Sequence, residues 1–462
     1  MTAADLVVES NHINPIPASQ RHGGPWQQFF LWFGGNVNVF NVVLGAILVI
    51  MGLAFWWAVI AIAAGTAIGA LLIALHASQG PRLGVPQMIQ SRAQFGFDGA
   101  SFLFAAVLVL NLGFVAAQLV IEAQAMQLVW ATVPIPAWIA ILTPPALLIG
   151  VYGYRWVHRA AQVTAVVVGL TLAIMAGQAI ARGPLPPVAA AMTAPHAGVF
   201  VAGIALLVID MLSFGPFVSD YSRYIPEPVP AWRLVTAIWA GNVLSTVGSC
   251  TLGAYLAALL PKLGTVAAIG QVSGRGALLV MTFSLVNGCT FTAYTGGLQI
   301  IALGQMLPRW RAVRPSRPLR ITAMAAVLLG GMVIALLGYR SFVTSLSNFL
   351  NLLLLIFIPW SAVNLADYFL VRRGHYDIAS LFCRGGSYGR YAWRGLVAYA
   401  IGLALEIPFA SQVYYAGPMV RRLGGADVSW VVGFAAAGLT YLALTRWAPL
   451  PAARTATVPE RS

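Results

Sequence analysis

Residues 28–52 read QFFLWFGGNVNVFNVVLGAILVIMG. The stretch is long and apolar enough to cross a bilayer, which takes about 20 residues. Yet Phe33-Gly34-Gly35-Asn36 interrupts it near its middle. Glycines inside a membrane helix free backbone groups, and those groups are tolerated only where protein or a lined cavity gives them partners. A second stretch, DMLSFGPFVSD at 210–220, repeats the pattern with Phe214, Gly215 and Pro216. Pro216 removes a backbone donor and disturbs the turn before it. Either break alone reads equally well as a packing glycine or a kink. Two breaks at matching places in two halves of a chain point to a transporter's binding site.

The rest of the chain fits a membrane setting. Of its 462 residues 60% are hydrophobic and 8% charged, against about 25% charged in soluble domains. Apolar windows place twelve spans near 28–52, 56–76, 101–128, 135–151, 161–181, 197–219, 232–260, 277–300, 319–337, 342–366, 391–411 and 428–447. Twelve spans put both termini on one side. With that side cytoplasmic, the inner segments carry 20 of the 26 Lys and Arg residues. The outer loops keep Arg182, Lys262, Arg275, Arg340, Arg421 and Arg422, as the positive-inside rule requires. The expected location is the cell (inner) membrane, with both termini cytoplasmic.

The layout is an N-terminal segment 1–27, a first unit of five spans at 28–181, a second at 197–366, two added spans at 391–447 and a tail 448–462. Five is odd, so the second unit is inverted relative to the first. The first 27 residues lack the apolar run of a cleaved signal.

Several function classes find no support. The net charge of +14 is topogenic rather than a nucleic-acid footprint. The basic run PRWRAVRPSRP at 308–318 reads as a lipid-surface anchor. No phosphate-binding loop, H-E-x-x-H or G-x-S-x-G occurs. Cys250, Cys289 and Cys383 are isolated, and the histidines (12, 22, 76, 158, 196 and 375) fall at termini or in loops. An enzyme is not expected, nor a cofactor, nor a soluble partner. A channel would need a polar stripe or a charged ring, which the spans lack.

Four blocks carry a resemblance. They are NPIPASQRHGGPWQQFFLWFGGN at 14–36, GPRLGVPQMIQSRAQFGFDGA at 80–100, SDYSRYIP at 219–226 and PWSAVNLADYFLVRRGHYD at 359–377. In this order they resemble the nucleobase–cation symporter-1 family, in its purine–cytosine permease branch. The resemblance implies an all-α fold of two inverted five-helix repeats plus two helices. It also implies uptake of a nucleobase or a related heterocycle, such as allantoin or hydantoin, driven by Na⁺ or H⁺.

A planar heterocycle needs aromatic faces to stack on and amides that complement its edge. Phe114 and Gln118 are four apart in span 3 and share one helix face. Phe214 follows in span 6, with Ser213 and the backbone near Gly215 as hydrogen-bond partners, and Phe33 is a third aromatic. Where the family often has Trp, this chain has Phe at 114 and 214. In span 8, Thr292 and Cys289 stand where the family is richer in Asn, while Asn287 is retained.

Asp210 and Glu122 are intramembrane acids, which are costly and by default functional. Asp210 suits two roles, reading a donor-rich edge or carrying a coupling proton. A hydrogen-bonded structural acid is the plain alternative for both. For a cation, carbonyls at the Gly34–Asn36–Val37 break and oxygens of Ser284, Asn287 and Thr290 would make an oxygen cage suited to a hard ion. The resemblance places Na⁺ there, at Gly34, Val37, Asn287 and Thr290. At the cytoplasmic rim, Asp220, Arg223, Asp367, Arg372 and Arg373 are expected to pair.

Overall fold

The computed structural model describes residues 13–151, 154–307, 316–412 and 415–448, and their side chains except at 150–162, 164, 165, 287 and 343. Thus the basic loop at 308–315 and the Asn287 side chain lie outside the described residues.

Thirteen longer helices are described: α1 (Pro25–Asn36), α2 (Val39–Ile50), α3 (Phe55–Ala77), α4 (Ser101–Val129), α5 (Ile135–Val151), α6 (Tyr154–Ala181), α7 (Ala197–Leu212), α8 (Ala231–Leu259), α9 (Thr265–Gly304), α10 (Arg317–Gly338), α11 (Phe342–Leu365), α12 (Trp393–Glu406) and α13 (Ser429–Trp447). Among the described residues, seven helical segments are long and apolar enough to cross a membrane, or eight if the bent α1–α2 pair is one span. Two shorter apolar helices cover Ile135–Ile149 and Val166–Ala181. The last two expected spans coincide with α12 and α13, which are not among these. α12 stops at Glu406, where Ile407–Phe409 tightens into a 3₁₀ turn, and a two-residue β-pair (Ser411–Gln412 with Tyr415–Ala416) follows.

The second break falls at the predicted Gly215–Pro216, and the first just beyond the glycines, since Gly34 and Gly35 stay helical within α1. α1 and α2 meet at 59°, joined through Val37 and Asn38. Asn38 caps α2, its side chain accepting from the Asn41 N–H at 2.9 Å. After α7 the chain passes through Phe214 and a 3₁₀ turn at Gly215–Phe217, then resumes at Val218–Ser222.

Helices α1, α2, α3, α7 and α8 pack as one group, with α2 on α8 and α3 on both α7 and α8. At the α2–α8 crossing Gly45 lies on the Cys250 carbonyl and Gly253 on that of Val42, leaving no room for a Cβ. Such small-residue contacts let membrane helices approach closely. Helices α4, α5, α9 and α10 share a separate apolar cluster that includes Val115, Leu119, Ile139, Ala146, Val286 and Val327. The two groups face each other across α1, α2, α4, α7 and α9.

Near the end of the molecule where α1 begins, the loop 84–100 is tied to 384–392. Backbone bonds run from Phe97 to Gly389, from Asp98 to Arg390 and from Ala392 to Phe95. Asp98 accepts from Arg384 at 2.7 Å and Arg390 at 2.8 Å.

Candidate functional site

A cavity with about 40 Å³ of free volume lies between the two helix groups. Its walls come from both breaks and from α4 and α9. Trp32, Phe40, Phe114, Phe214 and Phe291 supply aromatic faces; Asn36, Asn38, Asn41, Gln118, Asp210 and Thr292 supply polar groups; Leu31, Gly35 and Gly288 complete it. One water needs about 10–15 Å³, so a ring-sized solute enters only if these side chains part.

The aromatic faces touch one another. Trp32 meets Phe214 edge-on at 5.5 Å between centroids and Phe291 at 5.8 Å. Phe114 lies 5.7 Å from Phe40 and 6.5 Å from Phe214, roughly parallel to the latter. Such separations are those of favourable aromatic pairs, and a planar ring placed among them would exchange one aromatic contact for another.

The polar groups divide into two sets. The asparagines hold the α1–α2 break. Asn36 Nδ2 donates to Asn242 Oδ1 at 2.8 Å, Asn41 Nδ2 to the Asn36 carbonyl at 2.7 Å, and Asn38 Nδ2 to the Gly35 carbonyl at 2.6 Å. The second set is not spent on the fold: Gln118 Oε1 and Asp210 Oδ2 have no hydrogen-bond partner among the described residues, as is also true of Asn41 Oδ1 in the first set. Asp210 is 1% exposed. A buried polar atom left unpaired costs about 1–3 kcal/mol, so these two atoms are available to a ligand. Gly288 makes room for one of them, because a Cβ there would stand 3.1 Å from Gln118 Oε1.

The structure thus brings Phe114, Gln118, Asp210, Phe214, Thr292 and Asn36 around one space and places the other candidates elsewhere. Phe33 stacks on Phe29 at 5.7 Å and turns toward Gly169 of α6, away from the cavity. Its neighbour Trp32 takes the inward position. Gly34 and Val37 are buried beside the cavity without lining it. Ser213 donates to the Asp210 carbonyl at 2.6 Å. Gly215 packs toward Trp360 and His76. Glu122 is buried between α4 and α9, where the Cys289 thiol donates to it at 3.7 Å. Ser284 donates to the Met281 carbonyl at 2.7 Å, and Thr290 to the carbonyls of Ala146 in α5 and Val286, both at 3.0 Å. The hydroxyl of Thr290 therefore lies against α5 and not against the α1 break.

Sequence reading missed Trp32, Phe40 and Phe291 in the aromatic wall. It also gave no role to His76, which ends α3 fully buried. The ring stacks on Trp360 at 4.7 Å. Its Nδ1 lies 3.0 Å from Asn364 Oδ1, and its Nε2 2.9 Å from Ser361 Oγ. The amide oxygen can only accept, so the proton sits on Nδ1 and Ser361 donates to Nε2. From Asn364 the polar layer continues through Gln79, Gln94 and Gln87 to Ser219. Asp367 closes it, accepting from Gln94 (2.7 Å), Tyr376 (2.6 Å), Tyr441 (2.7 Å) and Arg372 (3.2 Å). This layer seals the cavity on the side where α1 begins. On the opposite side a pocket of about 520 Å³, lined by Val43, Gln127, Thr265 and Arg340 among others, lies one turn of α2 beyond Phe40.

The family model described as permease for cytosine/purines, uracil, thiamine, allantoin matches residues 15–433. The chain belongs to this permease family. Its members are transporters and not enzymes, and this permease is an integral membrane protein. It is 32% identical over 448 residues to "Putative purine-cytosine permease YxlA" of Bacillus subtilis (strain 168), covering 96% of each chain. It is 24% identical over 462 residues to purine-cytosine permease fcyB of Emericella nidulans, covering 96% of this chain and 89% of that one. Among solved structures, Mhp1, a nucleobase-cation-symport-1 family transporter in a closed conformation with bromovinylhydantoin bound, superposes with a TM-score of 0.75 at 22% identity, covering 96% of each chain. The permease shares that fold.

Proposed function

We propose that this permease imports a nucleobase or a related planar heterocycle by cation symport, with the ring held in the cavity between the two breaks. The observation that carries the reading is the aromatic box with two polar groups, Gln118 and Asp210, that the fold leaves unpaired. The ring stacks among Trp32, Phe114, Phe214 and Phe291 while its edge bonds to the Gln118 amide. Transport proceeds by alternating access, the helix group of α1, α2, α3, α7 and α8 rocking against that of α4, α5, α9 and α10. The paired breaks support two inverted five-helix units with two added helices, and the Lys/Arg distribution supports cytoplasmic termini.

A thermal-shift panel of nucleobases, allantoin and hydantoins on the purified protein tests the reading, because a ligand that binds the folded state raises its stability. At least one planar heterocycle is expected to raise the unfolding temperature of the wild type, and Gln118→Ala to abolish that rise. A panel without effect, or a Q118A variant with the full response, would overturn the proposal.

A further inference from the structure

We infer that Asp210 carries the coupling proton, so that each substrate molecule enters with one H⁺ taken up at this carboxyl; the inference rests on the transport reading above. Asp210 is the one titratable side chain lining the cavity among the described residues. It is 1% exposed, Oδ2 has no partner, and no Lys, Arg or His pairs with it among the described residues. An isolated charge at such depth is costly, so the ionised form calls for the water or ligand that an open cavity admits. Cys250 of α8 is the titratable group that interacts with it. His76 of α3 lies by Gly215 and is already bonded on both ring nitrogens, and Glu122 of α4 faces Cys289. Among the described side chains of α11, which also packs against α7, none is titratable.

Of the side chains expected to build a sodium cage at the α1 break, the hydroxyl of Thr290 lies against the Ala146 carbonyl of α5, at 3.0 Å.

The proton balance is simple. A proton from the water on the open side neutralises Asp210, the substrate binds beside the neutral acid, the cavity turns over, and both leave to the other side; the carrier then returns empty with Asp210 ionised, so that one proton and one substrate are transferred per cycle. An Asn at this position keeps the size and hydrogen-bonding capacity but carries no proton.

Wild type and Asp210→Asn, reconstituted in liposomes with choline replacing Na⁺, decide the matter. Accumulation of the radiolabelled base that gives the largest thermal shift is followed under an inward gradient of one pH unit, together with internal pH. One proton per substrate supports about tenfold accumulation in the wild type, with internal acidification. D210N is expected neither to accumulate the base nor to acidify the lumen, and Asp210→Glu to regain both. Accumulation by the wild type that follows only a Na⁺ gradient, or D210N that accumulates as the wild type does, would overturn the inference and leave the transport reading standing. Absence of uptake or exchange by the wild type under either gradient would overturn the transport reading itself, and this inference with it.

Discussion

Trp32 and Phe33 are adjacent in the chain and opposite in role. Trp32 is 2% exposed and abuts Phe214 and Phe291, whereas Phe33 packs on α6. Removing an aromatic partner forfeits about 0.5–1.5 kcal/mol beyond its area, so Trp32→Ala should weaken heterocycle binding roughly tenfold while Phe33→Ala leaves it nearly unchanged. Titration of the purified variants checks this, and equal effects would mean the ring lies elsewhere. Gly35 gives a converse test. A Cβ there meets no atom within 4 Å, although the residue borders the cavity. Gly35→Leu should therefore fold normally, with an unchanged unfolding temperature, and lose the ligand response. Phe114, Gln118, Phe214 and Asp210 were legible as candidates because an i, i+4 aromatic–amide pair, an aromatic beside a broken turn and an acid within a span each carry a physical cost or purpose. Trp32 was not singled out, yet the spacing of Gln28, Trp32 and Asn36 by four marks the buried face of α1.

At the scale of elements, the α1–α2 break is held by side-chain amides as well as by the backbone bonds from Val37 to Phe33 and from Asn38 to Asn36. Asn41→Ala would leave the Asn36 carbonyl without its 2.7 Å donor. Losing a buried hydrogen bond costs about 1–3 kcal/mol, so the variant should unfold at a lower temperature and bind more weakly, because Gly35 and Asn36 shape the cavity. The glycines and the proline announced where the helices break, since backbone chemistry is local. Which side of α9 faces the cavity was not legible. Thr290 drew attention as a polar residue alongside Thr292, but it is Gly288, Phe291 and Thr292 that line the space, an orientation set by how α9 packs on α4 and α5. The loop 84–100 was legible only through the family resemblance. Its hydrogen bonds to 384–392 connect segments nearly three hundred residues apart, which no local pattern encodes.

For the whole molecule, the buried polar layer from His76 to Asp367 closes one face of the cavity, and its strength sets how readily that face opens. Asp367 is fully buried and holds Arg372 with three further donors. Removing one partner of a buried pair costs about 3–5 kcal/mol. Asp367→Ala should thus shift the population toward the state open on that face, read as faster labelling of a cysteine introduced at Gly215, which packs beside His76. Unchanged labelling would mean the layer holds the fold rather than the gate. The apolar bulk and the spacing of the spans made the architecture legible, while this layer, built from residues that read singly as loop polars, became visible only when the chain was folded. The account as a whole stands on the central cavity being the transport site. Gradient-driven uptake of a radiolabelled nucleobase by cells expressing wild type, Gln118→Ala or Phe214→Ala tests it most directly. The wild type should accumulate the base, and both variants, present in the membrane at wild-type levels, should lose accumulation. Accumulation by the two variants equal to that of the wild type would contradict it.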